Sequence, residues 1–545
     1  MTRPQLCIYS YVERILCRAN FIVLFLALTA STAFAQNNKF IVRFKPQNNL
    51  HPFLRAFAKQ QNLTNLADKV NNETNVKATA LENVNVMIAE GTKEEVEAAV
   101  ADNNTVAYIE EDKEIKIAES DNYGAKPANS PYLNTLGLTA SNPAYTDTAT
   151  GTPLLVAVID TGIDLDHPYL MPFLSTNSGE TPNDGIDNDG NGFIDDYYGA
   201  STAQGILNGD VQDVYDHGSH VAGLIKIVRD QAIAMGYNEA KNIQVLPIRF
   251  FYNCGSGLCG TTSGAIQALN YAMSRGAQVV NMSWGSEGAE SYSQALYETL
   301  VDLYNHDIVL VAAAGNESSN IDSTPFFPAA LNSAIPGLIS VNSITTYHYS
   351  NGSLDEIALS YFSNYGTQGV DVAAVGSTWF LFGGMLSANA YHVAGSSSNK
   401  FVPKSGTSMA SPIVAGIAAV VRAVNEDLNA FDVKELILQN AVVPMNGSTK
   451  ILGNKNRAEG YAHAINSFQA ADGASGSGLL PAATNASYST YSSNSDSGAA
   501  AGCGSIMNPG PGGGNPFGGN SMGLFTALFF LVQFARKMRY KLIRC

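Results

Sequence analysis

Short apolar runs separated by helical segments dominate the middle of the chain. Five of these runs have the length of a β-strand, at residues 154–159, 243–248, 279–282, 308–314 and 338–341. A segment with helical spacing, residues 262–275, lies between the second and third runs. Strands that are buried on both faces lose the alternation of polar and apolar residues. The pattern therefore predicts an α/β domain over residues 131–471, in which helices cover both faces of a parallel sheet.

A smaller unit precedes this domain. Residues 40–44 and 81–88 alternate as strands, residues 93–101 have the pattern of a helix, and residues 106–109 indicate a closing strand. We expect a compact α+β unit over residues 36–119, followed by a polar linker over residues 120–130.

The two ends of the chain have the composition of targeting segments. Residues 1–35 contain three arginines, an apolar stretch and then Ala33-Phe34-Ala35, which is typical of a secretory signal peptide and too short for a membrane span. Residues 472–522 are rich in Gly, Ser, Ala and Asn and predict a linker. The apolar segment 523–535 and the basic end of the chain, up to residue 545, predict a membrane-associated sorting tail with its basic end in the cytoplasm. An ordinary packed helix is the alternative for this tail.

Composition excludes several classes of protein. The 545 residues carry a net charge of −16, which argues against nucleic-acid binding because that binding depends on cations that neutralise phosphates. A hydrophobic content of 45% excludes wholesale disorder. Six cysteines without a CxxC pair are too few for a disulfide scaffold and indicate no zinc site.

Three motifs carry residues suited to nucleophilic catalysis. Asp160 ends the first strand of the large domain, at the edge of a parallel sheet where active sites gather. His217 stands in Asp-His-Gly-Ser-His, where a helix is expected to begin. Ser408 comes directly before an apolar, buried helix, whose first backbone N–H groups and positive dipole end favour negative charge beside it.

These motifs and their order, Asp160, His217 and Ser408, resemble the subtilisin-like serine peptidases, the subtilase family. The resemblance covers residues 131–471, and the preceding α+β unit resembles the ferredoxin-like inhibitory propeptide of that family. It implies that Ser408 is the nucleophile, that His217 is the general base, and that Asp160 orients and stabilises the imidazole. Asn316, which ends the segment 312–316, resembles the asparagine that donates to the oxyanion.

The resemblance also implies a polypeptide substrate that binds as an added strand, and no organic cofactor. One edge of the substrate cleft would be Ser283, Trp284 and Gly285, and the other would be Gly255, Ser256 and Gly257. Ala312, Ala313, Ala314 and Gly315 would form a wall of the first side-chain pocket. Cys254 and Cys259 bracket the second edge, and in an exported protein they could form a disulfide or remain two free thiols.

An acidic loop lies between Asp160 and His217. Its oxygen-bearing residues alternate with glycines, which suits a calcium ion held by Asp187, Asp189, Asn191 and Asp195. Tyr198 stands where an EF-hand loop requires glutamate, so full EF-hand geometry is not expected. A solvated acidic loop without an ion is the alternative.

The sequence therefore predicts a secreted serine endopeptidase made as a precursor, with its own propeptide as an intramolecular inhibitor until a cut between residues 117 and 131. Two other classes stay open. One is a calcium-stabilised adhesin on a peptidase-like scaffold, because a fold alone does not fix a function. The other is a different serine hydrolase such as an esterase, although Ser408 lacks the G-x-S-x-G elbow of the α/β-hydrolases.

Overall fold

A computed structural model describes residues 39–45, 52–101, 103, 105–117, 132–138, 151–254, 258–348, 354–379, 384–390 and 401–486. The predicted signal peptide, the linker 120–130 and the predicted membrane-associated tail lie outside these residues.

The N-terminal unit is a four-stranded antiparallel sheet with the order β2-β3-β1-β4. Its strands are β1 (Lys39–Phe44), β2 (Lys77–Leu81), β3 (Val86–Glu90) and β4 (Val106–Glu111), and its helices are α1 (Pro52–Glu73) and α2 (Lys93–Val100). Helix α2 begins with a capping box between Thr92 and Glu95. Val42, Met87 and Val96 belong to a separate small core. The α+β class is the predicted one, but residues 81–88, predicted as one strand, contain the end of β2, a turn and the start of β3, and α1 was not predicted.

The large domain is built on an eight-stranded sheet. Its strands are β6 (Leu154–Asp160), β7 (Ala200–Ser201), β8 (Ile243–Arg249), β11 (Val279–Met282), β13 (Val309–Ala313), β15 (Leu338–His348), β16 (Leu354–Leu359) and β17 (Val372–Trp379). Strands β7, β8, β6, β11, β13 and β15 pair in parallel in that order, and β17 also pairs in parallel with β15. The predicted parallel sheet is confirmed. Strand β16 adds an antiparallel edge that the sequence analysis did not predict.

Helices cover the faces of the sheet and bury the apolar side chains of its strands. They are α3 (Tyr132–Thr135), α4 (His217–Ala234), α5 (Thr262–Ser274), α6 (Gln294–Asn305), α7 (Thr407–Val424), α8 (Ala430–Gln439) and α9 (Ala464–Asp472). Helices α4 and α7 pack closely where Gly416 faces Val228, since a Cβ at Gly416 would lie 2.9 Å from the Val228 Cβ. Among the described helices, α7 is the one apolar and long enough to cross a membrane, but 83% of it is buried inside the domain.

Smaller strands complete the large domain. They are β9 (Tyr252–Asn253), β10 (Leu258–Thr261), β12 (Trp284–Glu287), β14 (Phe326–Phe327), β18 (Met385–Ala388), β19 (Phe401–Lys404), β20 (Met445–Asn446) and β21 (Thr449–Lys450). A second, five-stranded sheet has the order β14-β12-β5-β10-β9, and its central strand β5 (Glu114–Ile117) comes from the N-terminal unit. The N-terminal unit therefore supplies β5, which pairs on one side with β12 and on the other with β10 of the large domain.

Two carboxylates of the N-terminal unit cap helices of the large domain. Glu110 accepts hydrogen bonds from the backbone N–H groups of Gln294 (3.1 Å) and Ala295 (3.4 Å), at the start of α6. Asp112 accepts one from the backbone N–H of Ser263 (2.7 Å), at the start of α5. These N–H groups have no partner within their own helices, and the dipole of each helix favours the negative charge. Burial raises the pKa of both carboxyls, and the hydrogen bonds act in the opposite direction.

A buried arginine makes the third polar contact of this interface. Arg43, on β1, forms ion pairs with Glu298 (2.7 Å) and Asp302 (3.1 Å), both on α6. Lys113 donates to the backbone oxygen of Glu290 at 3.0 Å. Acidic and basic side chains of the N-terminal unit thus each have a defined partner on the large domain. These contacts set the register in which β5 pairs in the second sheet.

Replacing both capping carboxylates, Glu110→Ala with Asp112→Ala, should loosen the interface. Loss of an N-cap costs about 1 kcal/mol, so the amide protons of Ser263 and Gln294 should exchange with solvent about fivefold faster or more. Hydrogen exchange followed by mass spectrometry measures this change. Glu111→Ala, at an exposed neighbouring carboxylate, is the matched control and should leave the rates unchanged. Equal exchange in the double variant and the control would show that the caps do not hold the unit.

Candidate active site

Asp160 and His217 meet at one end of the large sheet, and Ser408 lies on α7, which packs against β6 and α4. Asp160 is the last residue of β6, His217 the first of α4 and Ser408 the second of α7, and each of them is fully buried. His217 Nδ1 and Asp160 Oδ1 are 2.7 Å apart, which is the distance of a strong hydrogen bond. The buried pair fixes the imidazole with its Nε2 edge turned away from the carboxylate.

Two glycines permit this close approach. Gly162 turns the chain out of β6 with φ +105°, and a Cβ there would lie 2.5 Å from the Val211 carbonyl oxygen. A Cβ at Gly218 would lie 2.1 Å from the Gly162 carbonyl oxygen. A larger residue at Gly218 would push the start of α4 away from the end of β6, and one at Gly162 would collide with the backbone of residues 211 and 212.

A buried aspartate that the sequence analysis missed ties the two segments together. Asp213 accepts hydrogen bonds from Thr161 Oγ1 (2.7 Å) and from the backbone N–H of Ser219 (2.9 Å). Thr161 follows Asp160, and Ser219 lies two residues after His217. Asp213 therefore positions both partners of the pair, and no local sequence signal distinguishes it from a loop carboxylate.

Two reciprocal hydrogen bonds with Ser283 hold Ser408 at the start of α7. The Ser408 hydroxyl donates to the Ser283 carbonyl oxygen (2.9 Å), and the Ser283 hydroxyl donates to the Ser408 carbonyl oxygen (3.0 Å). Ser283 lies between β11 and β12, so the contact links the nucleophile candidate to the predicted substrate edge. The hydroxyl must rotate from this position before it can give its proton to an imidazole.

Asn316 presents an amide nitrogen to the site. Its side-chain oxygen accepts from the backbone N–H (3.0 Å) and the hydroxyl (3.1 Å) of Thr407, the residue before Ser408. Its Nδ2 is buried and has no hydrogen-bond partner in the described part of the chain. An amide group whose oxygen is fixed and whose N–H₂ is unused is oriented to donate to an incoming atom. Thr407, which the sequence analysis did not single out, sets this orientation.

His220 is a packing residue of the site. Its Nε2 donates to the carbonyl oxygens of Met385 (2.9 Å) and Val402 (3.1 Å), on the hairpin of β18 and β19. Burial holds the pKa of His220 well below its usual value. The ring therefore stays neutral and fastens the hairpin to α4, one turn away from His217.

Strand β5 shows how a polypeptide fits between the predicted edges. Trp284 pairs with Ile117 and Gly285 with Lys116, both antiparallel, so two of the three residues predicted for the first substrate edge pair with a strand of the N-terminal unit. On the other side, Gly260 and Thr261 of β10 pair with Ile115 and Glu114. Gly255, Ser256 and Gly257, which we predicted for this edge, lie outside the described residues.

Cys254 and Cys259 form a disulfide with a Cα separation of 5.9 Å, so they are not free thiols.

A cavity of about 640 Å³ opens beside the end of β5. Its wall includes Ile117, Gly285, Glu287, Glu290, Glu317 and Phe326. Burial raises the pKa of Glu317. Ala312, Ala313 and Ala314, which we predicted as a wall of the first pocket, are fully buried and do not line this cavity. Gly315 lies directly behind it, because a Cβ at Gly315 would meet the Glu317 carboxylate at 2.5 Å and Phe326 at 2.7 Å.

The acidic loop has a different grouping from the predicted one. Glu180, Asp187 and Asp189 bring their carboxylate oxygens within 4.8 Å of one another. Asp195 is not in this group, and its carboxylate accepts the backbone N–H groups of residues 184 and 185 at 2.9–3.2 Å. The side-chain amide of Asn191 donates to Asp189 at 3.1 Å. Glu180 thus takes the place that we predicted for Asp195, a change that local spacing could not reveal.

Comparison with known proteins identifies the large domain. The profile of the subtilase family matches residues 151–469. A thermophilic serine proteinase of Bacillus sp. (strain AK1) is 32% identical over 52% of this chain and 56% of its own length. An extracellular protease of Xanthomonas campestris pv. campestris is 30% identical over 56% of this chain and 50% of its own. The subtilisin-like protease 1 of Plasmodium berghei is 29% identical, and the chain spans 49% of its length. The chain thus spans about half the length of these relatives.

Solved structures show the same fold. Fervidolysin of Fervidobacterium pennivorans, a keratinolytic enzyme related to subtilisin, is similar over 80% of this chain and 61% of its own, with a TM-score of 0.52 and 21% identity. The epidermin leader peptide processing serine protease of Staphylococcus aureus is similar over 81% of this chain and its whole length, with a TM-score of 0.52 and 17% identity. At these identities the likeness concerns the fold alone.

Proposed function

The chain belongs to the subtilase family, and we propose that it is a secreted serine endopeptidase made as a self-processed precursor. One observation carries the proposal: the buried Asp160–His217 pair, 2.7 Å apart, lies where α7, which carries Ser408, packs against β6 and α4, beside two edges that already hold a polypeptide strand. An adhesin would have no use for such a pair beside a serine and an unused amide donor.

The chemistry divides among three side chains. Ser408 rotates away from the Ser283 carbonyl and attacks the peptide carbonyl carbon, while His217 takes its proton through Nε2. His217 then gives that proton to the leaving amine, and a covalent acyl-enzyme remains on Ser408. Water, deprotonated by the same imidazole, releases the acid and restores the serine. Asp160 keeps the proton on Nδ1 and stabilises the imidazolium that forms in each half of the reaction.

Two donors stabilise the tetrahedral oxyanion. The Nδ2 group of Asn316 is buried and lacks a partner among the described residues, which suits a donor that is used only when charge develops. The backbone N–H of Ser408, at the start of α7, is the second donor, and the positive end of the helix dipole adds to it. Thr407 fixes the Asn316 amide through two hydrogen bonds, so the donor needs no reorganisation when the oxyanion forms.

Substrates are polypeptides that bind as β5 does, as an added strand between β10 and β12. The N-terminal unit is then the chain's own inhibitor, because its strand occupies the cleft and its carboxylates cap α5 and α6. Cleavage between residues 117 and 131 followed by departure of the unit opens the cleft. The predicted signal peptide and the name of the Xanthomonas relative support export, and the predicted C-terminal tail supports attachment to a membrane, at least for a time.

A calcium ion stabilises the acidic loop in this proposal. Glu180, Asp187 and Asp189 offer three carboxylate oxygens within 4.8 Å of one another, which suits a hard cation with oxygen ligands. Without a cation, carboxylates this close repel one another. Bound calcium would make the loop between β6 and α4 more rigid and harder for peptidases to cut.

Ser408→Ala should produce a precursor that is never cut between residues 117 and 131 and never hydrolyses a peptide, because the nucleophile is gone. Intact mass and N-terminal sequencing of the secreted chain measure the processing. Ser323→Ala, at an exposed serine outside the site, is the control and should mature normally. Normal maturation and turnover in Ser408→Ala would refute the assigned nucleophile.

Asn316→Ala should lower kcat by about 10²- to 10³-fold and change KM little, because the lost hydrogen bond forms only in the transition state. Steady-state kinetics on a peptide substrate separate the two constants. The control Asn238→Ala alters an exposed amide outside the cleft. A loss confined to KM would assign Asn316 to substrate binding instead.

A calcium chelator should lower the melting temperature by several degrees, because an ion that binds only the folded state stabilises it by mass action. Differential scanning calorimetry on the Ser408→Ala variant measures this shift without autolysis. Asp187→Asn combined with Asp189→Asn should abolish the response to the chelator, whereas the exposed control Asp427→Asn should retain it. Identical melting with and without the chelator would contradict the calcium site.

A further inference from the structure

The residues that follow α9 lie against the large domain as a strap. The strap, residues 474–486, has no helix or strand of its own. Three tyrosine hydroxyls on or beside α6 donate hydrogen bonds to its backbone oxygens: Tyr304 to Pro481 (2.7 Å), Tyr297 to Thr484 (2.5 Å) and Tyr292 to Ala486 (2.9 Å). With the strap in place, each of these tyrosines is at most 7% exposed. The strap therefore runs along α6 from the last turn of the helix to its beginning.

Contacts with other elements fix the path of the strap. The backbone N–H of Ser477 donates to Asp432, in the first turn of α8, at 3.0 Å. The backbone N–H of Thr484 donates to the Ala334 oxygen at 2.9 Å. Leu480 packs against the large hydrophobic core. Hydrogen bonds at several points and an apolar contact thus hold the strap as a part of the folded domain.

The N-terminal unit binds the same helix. Glu110 caps the first turn of α6, and Arg43 forms an ion pair with Glu298 on it. Lys113 donates to the backbone oxygen of Tyr292, and the hydroxyl of Tyr292 binds the strap. Helix α6 and Tyr292 therefore carry contacts from both segments.

A chain of hydrogen bonds connects the strap to the N-terminal unit. The Tyr292 hydroxyl lies 2.9 Å from the Ala486 oxygen and 2.6 Å from the side-chain oxygen of Gln294, so the two acceptors share its single proton. The Gln294 amide donates to Glu298 at 2.8 Å, and Glu298 forms the ion pair with Arg43 at 2.7 Å. Polar groups linked in this way orient one another. A change in the strap therefore reaches Arg43 through side chains that have fixed partners.

We infer that the strap is a regulatory element that holds α6 in the position to which the N-terminal unit binds, and so slows departure of that unit. Its effect on inhibition rests on the proposed function. Loss of the strap would expose the tyrosine rings and let the start of α6 move, because Tyr292 directly precedes Ser293, the N-cap of the helix. The N-terminal unit would then have to order α6 on binding, which weakens its attachment. By reciprocity, departure of the N-terminal unit weakens the hold on the strap.

Removal of the three hydroxyls tests the inference in the full chain. The variant combines Tyr292→Phe, Tyr297→Phe and Tyr304→Phe in the Ser408→Ala background, where the precursor stays uncut. Hydrogen exchange followed by mass spectrometry compares β5 with β8, a strand of the large sheet. We expect the amides of β5 to exchange at least about fivefold faster, as the usual coupling between two sites implies, with β8 unchanged. Tyr361→Phe, at a tyrosine that is 81% exposed, is the matched control and should change neither strand.

Two results would overturn the inference. One is equal exchange of β5 in the triple variant and the control. The other is an equal acceleration of β8, because the strap would then stabilise the whole domain without acting on the N-terminal unit in particular.

A pair of shortened chains replaces the triple variant if it does not fold. One chain ends after Gly473 and lacks the strap, and the other ends after Ala486 and keeps it, so both lack the predicted tail. The expectation and the two contrary results are the same for this pair. Cutting of the Ser408→Ala chain between residues 117 and 131 would overturn the proposed function alone, because the exchange of β5 is measured without peptidase activity.

Discussion

The hydrogen bond between Asp160 and His217 is the contact on which the rest of the site depends. Both side chains are fully buried, and a buried carboxylate is tolerated only with close, well-oriented partners. That requirement explains much of the surrounding sequence: Gly162 and Gly218 allow the backbones to approach, and Asp213 fixes the segments that follow each partner. Ser408 and Asn316 are then positioned relative to this pair by their own fixed partners, Ser283 and Thr407. The site is thus prearranged by contacts that lie outside the reacting atoms.

The second sheet joins the N-terminal unit to the large domain. Strands β10 and β12 do not pair with each other, and β5 satisfies the facing edge of both. Unpaired strand edges are sites for addition of another strand. A substrate that replaced β5 would therefore find the same backbone partners. The caps at α5 and α6 hold β5 in a defined register.

Features that depend on residues close together in the sequence could be predicted from the sequence. Continuous aliphatic runs predicted the central strands closely, as for residues 279–282 and strand Val279–Met282. The motifs around Asp160 and His217 predicted two distant residues that form the buried pair, and the motif of Ser408 predicted its place at the start of a buried helix. Glu180, Asp213 and Thr407 were missed because their roles arise from loops that meet only in the folded chain. The same reason explains why Asp195 was placed in the metal group, since spacing along a loop does not show which way a carboxylate turns.

Labelling of the mature enzyme with a serine-reactive fluorophosphonate tests the central claim most directly. The account predicts one covalent adduct, mapped by mass spectrometry to Ser408, and a labelling rate that falls by several orders of magnitude in His217→Ala, because the hydroxyl is then no longer activated. Rapid labelling that survives His217→Ala, or an adduct on a different serine, would contradict the claim that these residues act as one unit.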